Sequence, residues 1–173
     1  KEGLNRIMNY NSKTNMYNYK TNILNKYGRI FSKEHISKYS SKINNICKNI
    51  FIDENTLSDG GILIYSQYIE GGIIPIALAL EEEGFTSNNN NNLLEPFINK
   101  KKTNLKYTII SGNNILSPNI KNDIDILTND KNVNGEIIKV VIISQTGTEG
   151  IDFKFLRQIH IMESWYNINR SEQ

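Results

Sequence analysis

The chain has 173 residues, a single composition class and a net charge of +2. That bounds it to one domain with a real core and excludes a strong whole-chain field that would by itself argue for a nucleic-acid partner. Its one cysteine, Cys47, excludes an internal disulfide and a cysteine-rich zinc site, suits a reducing intracellular compartment, and is expected to be a packed core thiol. No apolar run reaches the roughly 20 residues of a bilayer span, so no membrane partner is expected. His35 and His160 form no metal-ligand spacing, so no metal site is expected. The first residue is Lys1, which leads us to expect a fragment or a processed product.

Residues 1–30 are rich in Asn, Lys and Tyr without a sustained apolar period, and are expected to be a poorly ordered arm or linker. A folded domain is expected over 31–173. Ile36, Tyr39, Ile43, Ile46, Cys47 and Ile50 recur at spacings of three and four, predicting a helix with Ser32 as its N-cap. Asp59-Gly60-Gly61 makes a turn before the strand Ile62-Leu63-Ile64-Tyr65. Ile73, Ile76, Ala77 and Leu80 form the next helical stripe, with Pro75 in its first turn and Gly84 at its end. Glu81, Glu82 and Glu83 are expected at the wet end of that helix, and the asparagine run at 88–92 as a solvated loop tip. Lys100, Lys101 and Lys102 read as a solvated loop with phosphate contact as the alternative. Tyr107-Thr108-Ile109-Ile110 predicts a second strand, 118–127 a short helix, and 139–143 the strongest strand, apolar on both faces. A fourth strand is expected over 158–162, and a helix starting near Asn169. Strands apolar throughout, separated by helical stripes, describe an α/β fold with a mostly parallel sheet covered on both faces. Ligands collect at the carboxyl ends of such strands, which directs attention to the loops after Tyr65, Ile110, Ile143 and Met162.

The loop after the strongest strand, Ser144-Gln145-Thr146-Gly147-Thr148-Glu149-Gly150-Ile151-Asp152-Phe153, brings glycines, hydroxyls and carboxylates to such an end. Glycines admit close backbone approach and hydroxyls bind phosphate or ribose oxygens; a strand-to-helix turn with capping threonines stays open on the residues alone. The loop resembles motif V of superfamily-two helicases, in the form found in nucleocytoplasmic large DNA viruses. Gly28-Arg29-Ile30-Phe31, the stretch from Lys38 to Ile43, Ile62-Leu63-Ile64-Tyr65-Ser66-Gln67-Tyr68, the stretch from Gly71 to Glu81, Ile110-Ser111-Gly112 and Leu116-Ser117-Pro118-Asn119 are similar to the family in the same order, as are residues 144–173. Departures are Thr146 for a small alanine, Ser164 for the proline before Trp165-Tyr166-Asn167, and Ser171 for an isoleucine.

The resemblance implies a three-layer RecA-like domain, the second of two, working with the first RecA-like domain of the same parent. ATP would lie between the two, with Mg2+ held mainly by the first. It implies Gly150 and Asp152 near the ATP ribose, Gln173 opening motif VI, and Thr146 and Gly147 near nucleic-acid phosphate or the domain interface. Ser66 and Gln67, in the segment similar to motif IV, would touch the phosphates of DNA or RNA, or else cap the next element. The phosphate-binding loop of a first domain is absent from the sequence, and the sequence ends at Gln173 before the arginines of motif VI. No complete catalytic set is therefore expected, and the chain alone is expected to be inactive. A viral factory, host cytoplasm or virion would be its setting. The alternative is a degenerate, non-catalytic RecA-like module that binds nucleic acid or protein in a viral transcription complex. Trp165 and Tyr166 either stack on a base or wedge a loop; His160 reads as structural, and Glu149 with Asp152 as no acid/base pair.

Overall fold

The computed structural model describes residues 2–53, 56–97, 103–145 and 151–163. Its centre is a five-stranded sheet of β3 (Gly61–Tyr65), β4 (Thr86–Ser87), β5 (Lys106–Ile110), β6 (Val140–Ile143) and β7 (Leu156–Ile161), in the order β4-β5-β6-β3-β7. Every pairing in it is parallel. β6, the run with apolar side chains on both faces, takes the middle position, as a strand with no solvent-facing side must. Alternation divides the sheet residues between two cores. Ile62, Ile64, Ile109, Val140 and Ile142 meet helices α3 (Ser41–Ile50) and α4 (Ile74–Glu82) in the larger one. Leu63, Ile110, Val141 and Ile143 meet α5 (Ile120–Leu127) through Leu127 in the smaller. The result is a three-layer α/β fold.

The helix expected from Ser32 begins later. A 3-10 turn at Ile36–Lys38 comes first, and Ser40 is the cap of α3, its hydroxyl accepting the Ile43 amide at 3.2 Å. The apolar spacing is right, because both pieces turn the same face inward. α4 is preceded by a π-helical turn at Ile69–Ile73, and Gly84, at φ 99°, ends it.

Three expectations are corrected. The first 30 residues are not a loose arm: α1 (Glu2–Ile7), a hairpin of β1 (Met8–Asn11) and β2 (Met16–Tyr19), and α2 (Thr21–Tyr27) fold onto the main body. Leu4, Met8, Tyr19 and Ile23 are buried in the larger core. They come from four short elements, so no single period marks them in the sequence. The Tyr17 amide donates to Leu93 O at 2.6 Å, and Arg29 Nε sits 3.0 Å from Glu82 Oε2 beneath the Phe97 ring. Packing is therefore continuous across residue 30.

Glu81 is not at a wet helix end. It is fully buried and accepts from the Leu93 and Leu94 amides at 2.7 Å each and from the Tyr107 hydroxyl at 2.5 Å. Burial, then the Glu81 charge, pushes the Tyr107 hydroxyl well above its ordinary value, so it remains a donor. The asparagine run is not a free tip either. Asn88 and Asn89 donate to the buried Asp123 carboxylate at 2.9 and 2.8 Å, Asn91 donates to Ile115 O at 2.6 Å, and Asn92 Oδ1 accepts the Ser87 amide at 2.8 Å. Asn90 supplies the left-handed turn at φ 54°, a conformation Asn tolerates. Cys47 is the packed thiol expected, its pKa raised by burial to about 12.

Candidate functional site

At the carboxyl end of the sheet the chain leaves four parallel strands within a small area. β3 runs into Ser66, whose amide continues the ladder to Ile143 O at 3.1 Å. Its side chain is fully buried, and its hydroxyl lies 3.2 Å from Tyr68 O, from the Tyr68 amide and from Glu163 Oε1. The Gln67 amide donates to Glu163 Oε2 at 3.2 Å. A Cβ on Gly72 would fall 1.9 Å from Ser66 Oγ, so only glycine lets the π-helical turn close over this hydroxyl. Glu163 follows β7. The backbone there is fixed from two sides: the Met162 amide donates to Tyr65 O at 2.9 Å, and Lys42 Nζ donates to Met162 O.

Next to this turn, β6 ends at the buried Ser144, whose amide donates to Ile110 O at 3.0 Å. Beyond β5, Ser111 and Ser117 join hydroxyl to hydroxyl at 3.0 Å. Thr146, Gly147 and Gly150 lie outside the described residues, as do Gln173, Trp165 and Tyr166. Asp152 is exposed, between the half-buried Ile151 and Phe153, which pack on the smaller core as the chain returns to the start of β7. An exposed carboxylate offers the acceptors a ribose hydroxyl needs, but it repels a triphosphate.

A cavity of about 310 Å³ opens between the N-terminal hairpin and the loops after β3 and β5, lined among others by Tyr10, Tyr17, Glu70, Leu93, Asn113 and Ile115. No lysine or arginine lines it, and burial, followed by Tyr10 and Glu70, raises the Tyr17 hydroxyl. Its chemistry disfavours phosphate. Among the described residues no group of three or more His, Cys, Asp or Glu could hold a metal ion, and no helix is long and apolar enough to cross a membrane. His160 is half-buried on β7 with Nε2 3.2 Å from Gln158 Oε1, and burial lowers its pKa.

Of the two described residues expected to touch phosphate, Ser66 and Gln67, the structure places both in one turn and ties both to Glu163. Sequence reasoning missed Glu163. The signal was an acid directly after one strand and a Ser-Gln pair directly after another, which meet only if the two strands are neighbours.

No family model matches the chain. It is 31% identical over 168 residues to a termination factor NPH-I homolog of African swine fever virus (isolate Tick/Malawi/Lil 20-1/1983), covering 82% of this chain and 23% of that protein. Two proteins of Acanthamoeba polyphaga mimivirus named as ATP-dependent RNA helicases are also similar. One is 32% identical over 106 residues, 61% of this chain and 18% of its own length; the other is 30% identical over 140 residues, 80% and 22%. The chain thus spans about a fifth to a quarter of the length of these relatives.

Proposed function

We propose that the chain, similar to viral proteins named as a termination factor NPH-I homolog and as ATP-dependent RNA helicases, serves as the second RecA-like half of an ATP-dependent helicase or translocase of the superfamily-two type. Within the longer protein it faces the first RecA-like domain, which holds most of the ATP and the Mg2+. Its own share of the nucleotide is the ribose, met by Asp152, with Gly150 and Gln173 beside it. Its share of the strand is the phosphate backbone, gripped by Ser66 and Gln67 together with Thr146 and Gly147.

The observation that supports this most directly is the convergence of the turns after β3 and β7 at the carboxyl edge, beside the central strand β6. Parallel sheets gather their ligands at that edge. Backbone amides and hydroxyls there suit phosphate, which positions a strand without reading its sequence. ATP, when bound, supplies the free energy of hydrolysis. This chain's part is to hold a strand segment and to meet the other domain with a rigid sheet edge. The name termination factor, borne by the swine fever virus relative, supports a setting in transcription.

The test is phosphate release in the presence and absence of single-stranded nucleic acid. The protein as its gene encodes it is expected to show stimulated release, and residues 1–173 alone to show none. Turnover by the isolated chain overturns the division of labour; no stimulated turnover by the whole protein favours the non-catalytic module.

A further inference from the structure

The two donors assigned to phosphate already hold an anion of the protein's own. Glu163 places one carboxylate oxygen 3.2 Å from Ser66 Oγ and the other 3.2 Å from the Gln67 amide. A phosphate reaching those donors would need the same space and bring the same sign of charge, so both anions cannot stay. We propose that Glu163 is a resident competitor in the phosphate grip, an internal stand-in that a nucleic-acid strand must displace in order to bind. The proposal rests on the reading of Ser66 and Gln67 given above.

Three observations separate this from a carboxylate that merely braces two loops. The first is distance. The bracing carboxylates of this fold sit close to their donors: Glu81 at 2.5 to 2.7 Å and Asp123 at 2.8 and 2.9 Å from the asparagine amides. Glu163 lies at 3.2 Å on both sides, and the one proton of the Ser66 hydroxyl is divided between Glu163 Oε1 and Tyr68 O, so fewer full donor bonds hold this carboxylate than hold Glu81. The second is compensation. Glu81 and Asp123 are fully buried, whereas Glu163 is half-buried, and no lysine or arginine among the described residues pairs with its carboxylate. The cation beside it, Lys42, donates to the Met162 carbonyl instead. The third is mechanics. That bond and the Met162 amide bond to Tyr65 O fix the backbone just before Glu163, so the side chain can swing away while β7 stays in place.

Strand affinity is to be measured by fluorescence anisotropy on the whole encoded protein, with a labelled single-stranded DNA oligonucleotide and an RNA of equal length. Variants are Glu163→Gln, Glu163→Ala, Ser66→Ala and the double variant Ser66→Ala/Glu163→Ala. Removing the resident charge is expected to tighten binding about threefold to tenfold, more for Glu163→Ala than for Glu163→Gln, and Ser66→Ala is expected to weaken it and to cancel the gain. Equal or weaker binding by Glu163→Gln, with Ser66→Ala still weakened, overturns the competitor and leaves the grip standing. Unchanged binding by Ser66→Ala removes the grip itself. Glu163→Gln keeps an acceptor for the Gln67 amide, so it answers the question even if Glu163→Ala fails to fold. A gain with one of the two oligonucleotides only identifies the strand chemistry that uses the site.

Discussion

Glu81 is a carboxylate with no solvent and three donors, the Leu93 and Leu94 amides and the Tyr107 hydroxyl. Replacing it by Gln turns one acceptor oxygen into an NH2 group facing a donor, which leaves buried polar atoms unsatisfied. Glu81→Gln is expected to cost about 2 to 3 kcal/mol, read as a lower midpoint of urea unfolding followed by circular dichroism. A midpoint within error of the native protein would mean that the carboxylate is not holding the 93–94 backbone. His160 gives a second residue-scale prediction. Burial holds its pKa below the ordinary value, so between that lowered value and about pH 6.5 the unfolded chain binds a proton that the fold does not. Stability is therefore lost as pH falls through this window and regained above it. On going from about pH 7.5 to about pH 5.5, the melting temperature should drop less in His160→Gln than in the native protein. Equal drops would refute the assignment.

The asparagine run works as a single element. Asn88 and Asn89 share the Asp123 carboxylate, one oxygen each, Asn91 holds Ile115 O, Asn92 holds the Ser87 amide, and Asn90 makes the turn between them. Deleting one asparagine keeps the composition but moves every later side chain one place along. The expected cost is about 2 to 4 kcal/mol, comparable to Asp123→Ala and larger than Asn90→Gly, measured by the same unfolding midpoints. Cheap deletion would return the run to the status of a solvated tip. None of this was legible in the sequence, because the partner carboxylate lies 34 and 35 residues away and polar side chains leave no periodic mark. β3, β5 and β6 were legible, since an apolar run bounded by turn residues has few other uses. Ser66 and Gln67 could be singled out for the same reason: they follow such a run. Glu163 could not, because its meeting with Ser66 depends on β7 lying beside β3, and sequence order does not state which strands are neighbours.

For the molecule as a whole, the N-terminal residues belong to the fold. Removing residues 1–27 would strip Leu4, Met8, Tyr19 and Ile23 from the larger core and take the Tyr19 hydroxyl from Glu82 and from the Phe31 amide. The shortened chain is expected to lose cooperative unfolding and to be cut rapidly by protease; a truncated protein that resists digestion would restore the loose arm. Composition hid this, because an Asn, Lys and Tyr bias imitates a linker while a few well-spaced apolar residues suffice to dock it. The same bias bears on the five-asparagine clasp. Homopolymeric codon tracts are places where copying errors lengthen or shorten a gene by whole triplets. Here such an error would leave hydropathy and charge untouched, yet misalign the ties between the tract and α5. Heritable drift in tract length is therefore expected to be purged through the stability of the domain.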